Sequence, residues 1–120
     1  MVRFSCEKTL LQQAVNAVSR AVAAKSSIPA LEGILLETEH GLRLSGYNMQ
    51  TGIRTKFTAE VEESGELVVN ARLISEILRR LPDDVVTFTA NDKFLIHLTC
   101  GDADFDIMGL SAADFPELPE

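Results

Sequence analysis

Two stretches of this chain carry the same apolar stripe at helical period, and each follows directly on a strand-like run. In Asn70 to Pro82, residues Leu73, Ile74, Ile77, Leu78 and Leu81 fall at i, i+1, i+4, i+5 and i+8, the spacing of one buried helix face. Asn70 is suited to cap its start and Pro82 to end it. From about Glu7 to Ala24, the residues Leu10, Leu11, Ala14, Val15, Val18, Ala21 and Val22 repeat the stripe with no Gly or Pro between them. A shift of 63 residues lays Phe4 on Leu67, Cys6 on Val69, Leu10 on Leu73, Leu11 on Ile74 and Val18 on Leu81.

The remaining runs read as strands. In the first half they are Met1 to Ser5, Leu31 to Glu39, Leu42 to Tyr47 and Gly52 to Val61; in the second, Leu67 to Val69, Val85 to Ala90, Lys93 to Thr99 and Asp102 to Met108. Lys25-Ser26-Ser27-Ile28-Pro29 is the loop leaving the first helix, because proline biases Ile28 away from helix. His40-Gly41 and Asn91-Asp92 are turn signals at matching places. The chain therefore reads as a β-α-β-β-β unit used twice. Stripes that all point inward put two helices on one face of a shared sheet, an α+β layer arrangement. Gly109 to Glu120, with two prolines and no periodicity, has linker character.

A chain of 120 residues with 46% hydrophobic content can bury a core without disulfides or metal, as one domain. Cys6 and Cys100 form neither a CxxC nor a ligand cluster, which suits a reduced compartment. The N-terminus has no signal-peptide pattern and no apolar run approaches the ~20 residues of a membrane span. A cytoplasmic, soluble protein is expected. The net charge of -7 counts against nucleic-acid binding until its distribution is considered. Residues 7–25 and 70–81 hold six basic side chains (Lys8, Arg20, Lys25, Arg72, Arg79, Arg80) against Glu7 and Glu76, a net of +4, and the rest of the chain carries -11. A basic helix layer backed by acidic strands suits a polyanion on the helix side.

Motifs for catalysis are missing. There is no phosphate-binding loop, no Gly-x-Ser-x-Gly and no His-Glu-x-x-His. His40 and His97 have no sequence neighbour to form a dyad and read as structural. Asp102, Asp104 and Asp106 begin like a calcium loop, but Ile107 stands where such a loop needs Gly. Strand alternation instead puts the aspartates on one face and Ala103, Phe105 and Ile107 on the other, as on a charge-guarded edge. No catalytic residue, metal or cofactor is expected.

Four segments carry a family resemblance: Lys25-Ser-Ser-Ile-Pro-Ala-Leu31, Gly33-Ile-Leu-Leu36, Asn70 to Pro82, and Gly109-Leu-Ser-Ala-Ala-Asp-Phe-Pro-Glu-Leu-Pro119. In order and spacing the chain resembles the N-terminal domain of the bacterial sliding clamp, the β subunit of DNA polymerase III. The resemblance implies the DNA clamp fold and a non-catalytic processivity factor. It implies that residues 1–120 are the first of three domains, with 109–120 opening the interdomain linker. Two intact subunits would close head to tail around duplex DNA and tether the replicative polymerase. Polymerase and clamp loader would bind through the other domains, so this domain alone should not bind them. Lys25 and Arg72 match positions where the family contacts DNA; Arg20, Arg79 and Arg80 join them on the charge argument. Phe105 and Ile107 match apolar positions of the subunit interface. Asp102 and Asp104 depart from the basic residues that some members carry there, and Tyr47-Asn-Met-Gln50 replaces a more acidic pattern. Two other readings are a duplicated saddle that bends DNA with its sheet, which needs basic strands, and a small acyl-thioester hydrolase, for which Glu76 is the candidate helix acid.

Overall fold

The strand that opens each half of the chain pairs with the other half, and this exchange organises the fold. The computed structural model describes residues 2–23, 25, 27–39 and 41–116. Met1, Ala24, Ser26, His40 and residues 117–120, which the sequence reading placed in the first strand, the first helix end, its exit loop, a turn and the terminal segment, lie outside the described residues.

Strand β1 (Val2–Glu7) leads into helix α1 (Lys8–Ser19), a 3-10 turn (Pro29–Glu32) and strands β2 (Gly33–Glu37), β3 (Leu42–Tyr47), β4 (Gly52–Phe57) and β5 (Glu60–Glu63). The second half runs β6 (Glu66–Asn70), α2 (Ala71–Arg80), β7 (Val85–Ala90), β8 (Leu95–Cys100) and β9 (Ala103–Met108), then a 3-10 turn at Ala112–Asp114. The architecture is α+β, as expected, but the strands form two antiparallel sheets rather than one. Their orders are β5-β1-β7-β8-β9 and β4-β3-β2-β6. Each three-stranded meander takes as its next strand the opening strand of the other unit: Phe4 of β1 sits opposite Phe88 of β7, and Val69 of β6 opposite Ile34 of β2.

Gly52 to Val61, which alternates as one strand, is divided between the sheets: β4 pairs with β3, and β5 with β1. In the second half, Leu110 takes the place of β5, bonding Val68 through both backbone groups at 2.8 and 2.9 Å. The tight turns recur as well, with φ of +90° at Gly41 and +63° at Phe94, then +74° at Met49 and +57° at Gly101. The duplication is thus visible in backbone conformation as well as in side-chain pattern.

One core lies between the helices and the inner faces of both sheets. Leu11, Ala14, Val15 and Val18 of α1 and Ala71, Ile74, Ile77 and Leu78 of α2 enter it with Phe4, Leu36, Leu44, Phe88 and Leu98. Leu10 and Leu73, expected in the buried stripe, are each 42% exposed. Each precedes a buried residue of its stripe, Leu11 or Ile74, by one position, about 100° round the helix, so both rims project at the same place.

Helix α1 stops at Ser19, short of the expected Ala24, although nothing in the sequence breaks it. The Val18 carbonyl meets the backbone of β3 at Gly46, where a Cβ would lie 2.4 Å from it. The chain then tightens, the Ala21 N–H donating to Val18 O, and Ala23 N–H is taken by Leu31 O at 3.0 Å. The segment after β9 is docked rather than free as far as Phe115. Ser111 Oγ accepts the Ala113 N–H, and Phe115 joins Ala30, Leu31, Tyr47 and Val68 in a satellite core outside the four-stranded sheet.

Both cysteines are buried free thiols. Burial, with the charge of Glu7 beside it, pushes the Cys6 thiol up to about 12, and burial raises Cys100, whose thiol donates to Pro82 O. A thiol whose pKa is raised on folding holds its proton longer in the native state. Stability should therefore fall as pH rises from about 9 towards about 12. Thiol labelling below that window should be slow in native protein and fast in denaturant; rapid native labelling of both would contradict the burial.

Candidate nucleic-acid interface

Helix α2 begins where the Asn70 side chain accepts the Leu73 N–H at 2.9 Å, and ends beside Pro82 as its sequence predicts. Its solvent face carries Arg72, Leu73, Arg79 and Arg80, with Glu76 half-buried among them. The solvent face of α1 shows the same positions 63 residues earlier: Thr9, Leu10, Gln13 and Asn16, followed by Arg20.

The helices lie side by side and antiparallel. At one end, Lys8 at the start of α1 reaches Asp83 beyond α2, Nζ to Oδ1 at 3.0 Å, while its N–H donates to Asp84 O. At the other end, Ser19, Val22 and Ala23 share a surface cleft of about 540 Å³ with Glu32, Asn70, Arg72 and Ser75. Arg20 and Lys25 flank this second end, both exposed.

The six cations counted from sequence are therefore unequal. Lys8 is held by Asp83, and Arg79 Nη2 donates to Glu76 Oε1 at 3.0 Å. Among the described residues Arg20, Lys25, Arg72 and Arg80 carry no ion pair. Arg79 and Arg80 occupy the last turn of α2, where positive charge favours the helix dipole and needs no further reason. Arg72 occupies the first turn, where a cation works against the dipole. Its position costs helix stability and adds to the positive potential of the N-terminus, so a functional role explains it better than a structural one. Arg72 and Arg80 stand about 12 Å apart along the axis, a spread suited to contacting more than one phosphate.

Glu76 is engaged by Arg79 on the solvent face and does not point into a pocket with a nucleophile, so the hydrolase reading is unsupported. Among the described residues, no group of three His, Cys, Asp or Glu could hold a metal ion. No helix of the described residues is long and apolar enough to cross a membrane.

The expected interface residues lie on β9. Ile107 is buried in the core and Phe105 half-buried against it, with Asp104 and Asp106 exposed on the opposite face. Register adds a feature that the sequence does not signal. Glu63, Arg3, Thr89, His97 and Asp106 line up across all five strands of one sheet. His97 Nδ1 and Asp106 Oδ1 lie 2.5 Å apart, giving His97 the partner that its own neighbourhood in sequence lacks. Thr89 Oγ1 donates to the His97 carbonyl, away from the ring, so the row is a surface ladder and not a triad.

Comparison with known proteins agrees with this fold. The family described as DNA polymerase III beta subunit, N-terminal domain, matches residues 2–119. The chain belongs to this family. A beta sliding clamp of Synechocystis sp. is 35% identical over 98% of the chain and 32% of its own length, and that of Synechococcus elongatus 36% over 98% and 32%. A solved structure described as a DNA polymerase III beta subunit from Eubacterium rectale superposes with a TM-score of 0.96 at 34% identity, covering 100% of this chain and 33% of that one. The sliding clamp of Bacillus subtilis superposes with a TM-score of 0.94 at 28% identity, covering 99% of this chain and 34% of its own. The chain thus spans about a third of the relatives that it matches. The fold is that of a sliding clamp, and neither the saddle nor the hydrolase alternative is supported.

Proposed function

We propose that this chain supplies the first of three domains of a subunit that encircles duplex DNA, and that α1 and α2 face the DNA. The observation that carries this reading is Arg72: a cation without an ion pair among the described residues, in the helix turn that least favours it, on the basic face of an acidic chain. Membership of the clamp family supports it. Arg72 and Lys25 are assigned the principal phosphate contacts, and Arg20 and Arg80 lesser ones. Arg79, already bound to Glu76, is assigned the weakest. The contacts are sequence-independent, so the ring slides and takes no part in bond chemistry. The polymerase and clamp loader are bound outside this domain, and the protein acts in the cytoplasm.

The test uses the intact protein. It should remain on circular DNA and run off once the circle is cut; retention on linear DNA with free ends would overturn the encirclement reading. Lys25→Glu with Arg72→Glu should weaken DNA association equally for all sequences. The slope of log K against log salt should become shallower by about 2, near 0.9 per lost phosphate contact. An unchanged slope, or a loss confined to particular sequences, would remove the assigned roles.

A further inference from the structure

The outer face of the four-stranded sheet, turned away from the helices, carries a cleft of about 590 Å³. It draws on all four strands, from Arg54 of β4 through Ser45 of β3 and Leu35 of β2 to Glu66 of β6, and on Ala112, Ala113, Phe115 and Pro116 of the docked segment after β9. Four strands span three inter-strand spacings, about 14 Å, the length of about four residues of extended chain. Two groups in this cleft lack partners of the kind that their neighbours have. Ser45 is 1% exposed and its Oγ has no hydrogen-bond partner among the described residues, whereas the other buried polar side chain, Thr38, bonds both backbone groups of Gly65. A buried hydroxyl left in that state is uncommon and costs stability. Alternation along β3 sends Leu42 and Leu44 into the core and Arg43 and Ser45 to the opposite face, so the hydroxyl belongs to the cleft. The second group is Glu66. It stands directly opposite Glu37 in the β2–β6 register, a like-charge pair that opposes strand pairing. Arg43 gives both Nε and Nη2 to Glu37 Oε1, at 3.1 and 2.8 Å, and Lys56, the other cation of that row, lies three strands away from Glu66. Glu66 carries no ion pair among the described residues.

We infer that this cleft binds a short extended peptide segment of a partner protein, with a basic side chain against Glu66, a peptide group at Ser45 Oγ and an apolar side chain against Leu35 and Phe115. A serine hydroxyl donates one hydrogen bond and accepts others, and a peptide group offers both a carbonyl and an N–H. Lysine or arginine beside Glu66 relieves the like-charge pair with Glu37, while an acidic peptide is repelled by that pair and by the net charge of -7. A lone small cation would answer Glu66 but leave Ser45 and the apolar residues untouched. The charged groups other than Glu66 make no demand on the ligand: Arg43 is bound to Glu37, and Arg54 is engaged within the protein. The cleft lies on the opposite side of the sheet from α1 and α2, so the inference does not rest on the DNA reading.

The probe is the capped peptide Leu-Ala-Ala-Lys, with Leu-Ala-Ala-Glu as its control, and binding to the intact protein is followed by saturation-transfer NMR. The basic peptide should bind at millimolar concentration or below, and the acidic one about fivefold more weakly or less still. Glu66→Gln should shrink that preference to about twofold or less. Ser45→Ala should weaken both peptides alike, by about two- to tenfold, without lowering the thermal midpoint of the free protein, because the hydroxyl makes no bond there. Saturating duplex DNA, or Lys25→Glu with Arg72→Glu, should leave the peptide bound, which separates this site from the helix face. Failure of the basic peptide to bind, equal binding of the two peptides, a preference that survives Glu66→Gln, an affinity indifferent to Ser45→Ala, or displacement by DNA would each overturn the inference.

Discussion

Phe4→Ala is expected to cost about 3–5 kcal/mol, a large share of the ~5–15 kcal/mol that holds a domain of this size together. Phe4 is 0% exposed and Phe88 1%, and their rings stack with centroids 4.8 Å apart and planes 17° from parallel. They sit directly opposite each other where β1 of the first unit joins β7 of the second. Truncation leaves a cavity in the middle of that junction, where neighbouring strands are tied by backbone bonds and cannot collapse into it. Denaturant unfolding followed by circular dichroism measures the loss. Phe57→Ala, at a half-buried position on the β4 edge, should cost distinctly less. Equal costs would show that the exchange of opening strands is not a special point of weakness.

Gly46→Ala is expected to destabilise by about 1–3 kcal/mol, in the manner of an overpacked contact. Only a missing side chain lets β3 approach α1 so closely: the added Cβ would sit 2.4 Å from Val18 O and 3.3 Å from Val22 Cγ2. The Val18 carbonyl also accepts the Ala21 N–H that turns the chain out of the helix. Relief of the clash must therefore move the end of α1 that carries Arg20 and leads to Lys25. Stability and DNA association of the intact protein should fall together, whereas Arg20→Ala should touch only the second. A Gly46→Ala protein with unchanged unfolding would mean that the helix end yields freely and does not hold the basic residues in place.

Much of this was legible in the residues, and where it was not the cause can be named. The bounds of β3 and β7 match the expected runs, and α2 starts at its Asn70 cap. In each case the signal is local: alternation, a capping side chain, a following proline. The division of Gly52 to Val61 between two sheets had no local mark, because alternation continues through Thr58 and Ala59 while the pairing partner changes. Helix α1 ended early for the same kind of reason, its stop being Gly46 in another strand. At the candidate interface, the basic character of the helix face was countable from sequence. The loss of Lys8 to Asp83 was not, since only antiparallel helix packing brings positions 8 and 83 together.

The sequence by itself determined that the chain is built from two like units, which side of each helix is buried, and that positive charge gathers on the helix segments. These follow from periodicity and composition, which act within a few residues. The tertiary structure alone decided that the units trade their first strands and that there are two sheets and not one. Those outcomes depend on which strand finds which partner, and backbone hydrogen bonding is the same for every sequence; only the fit of side chains from both halves in one core selects among the pairings.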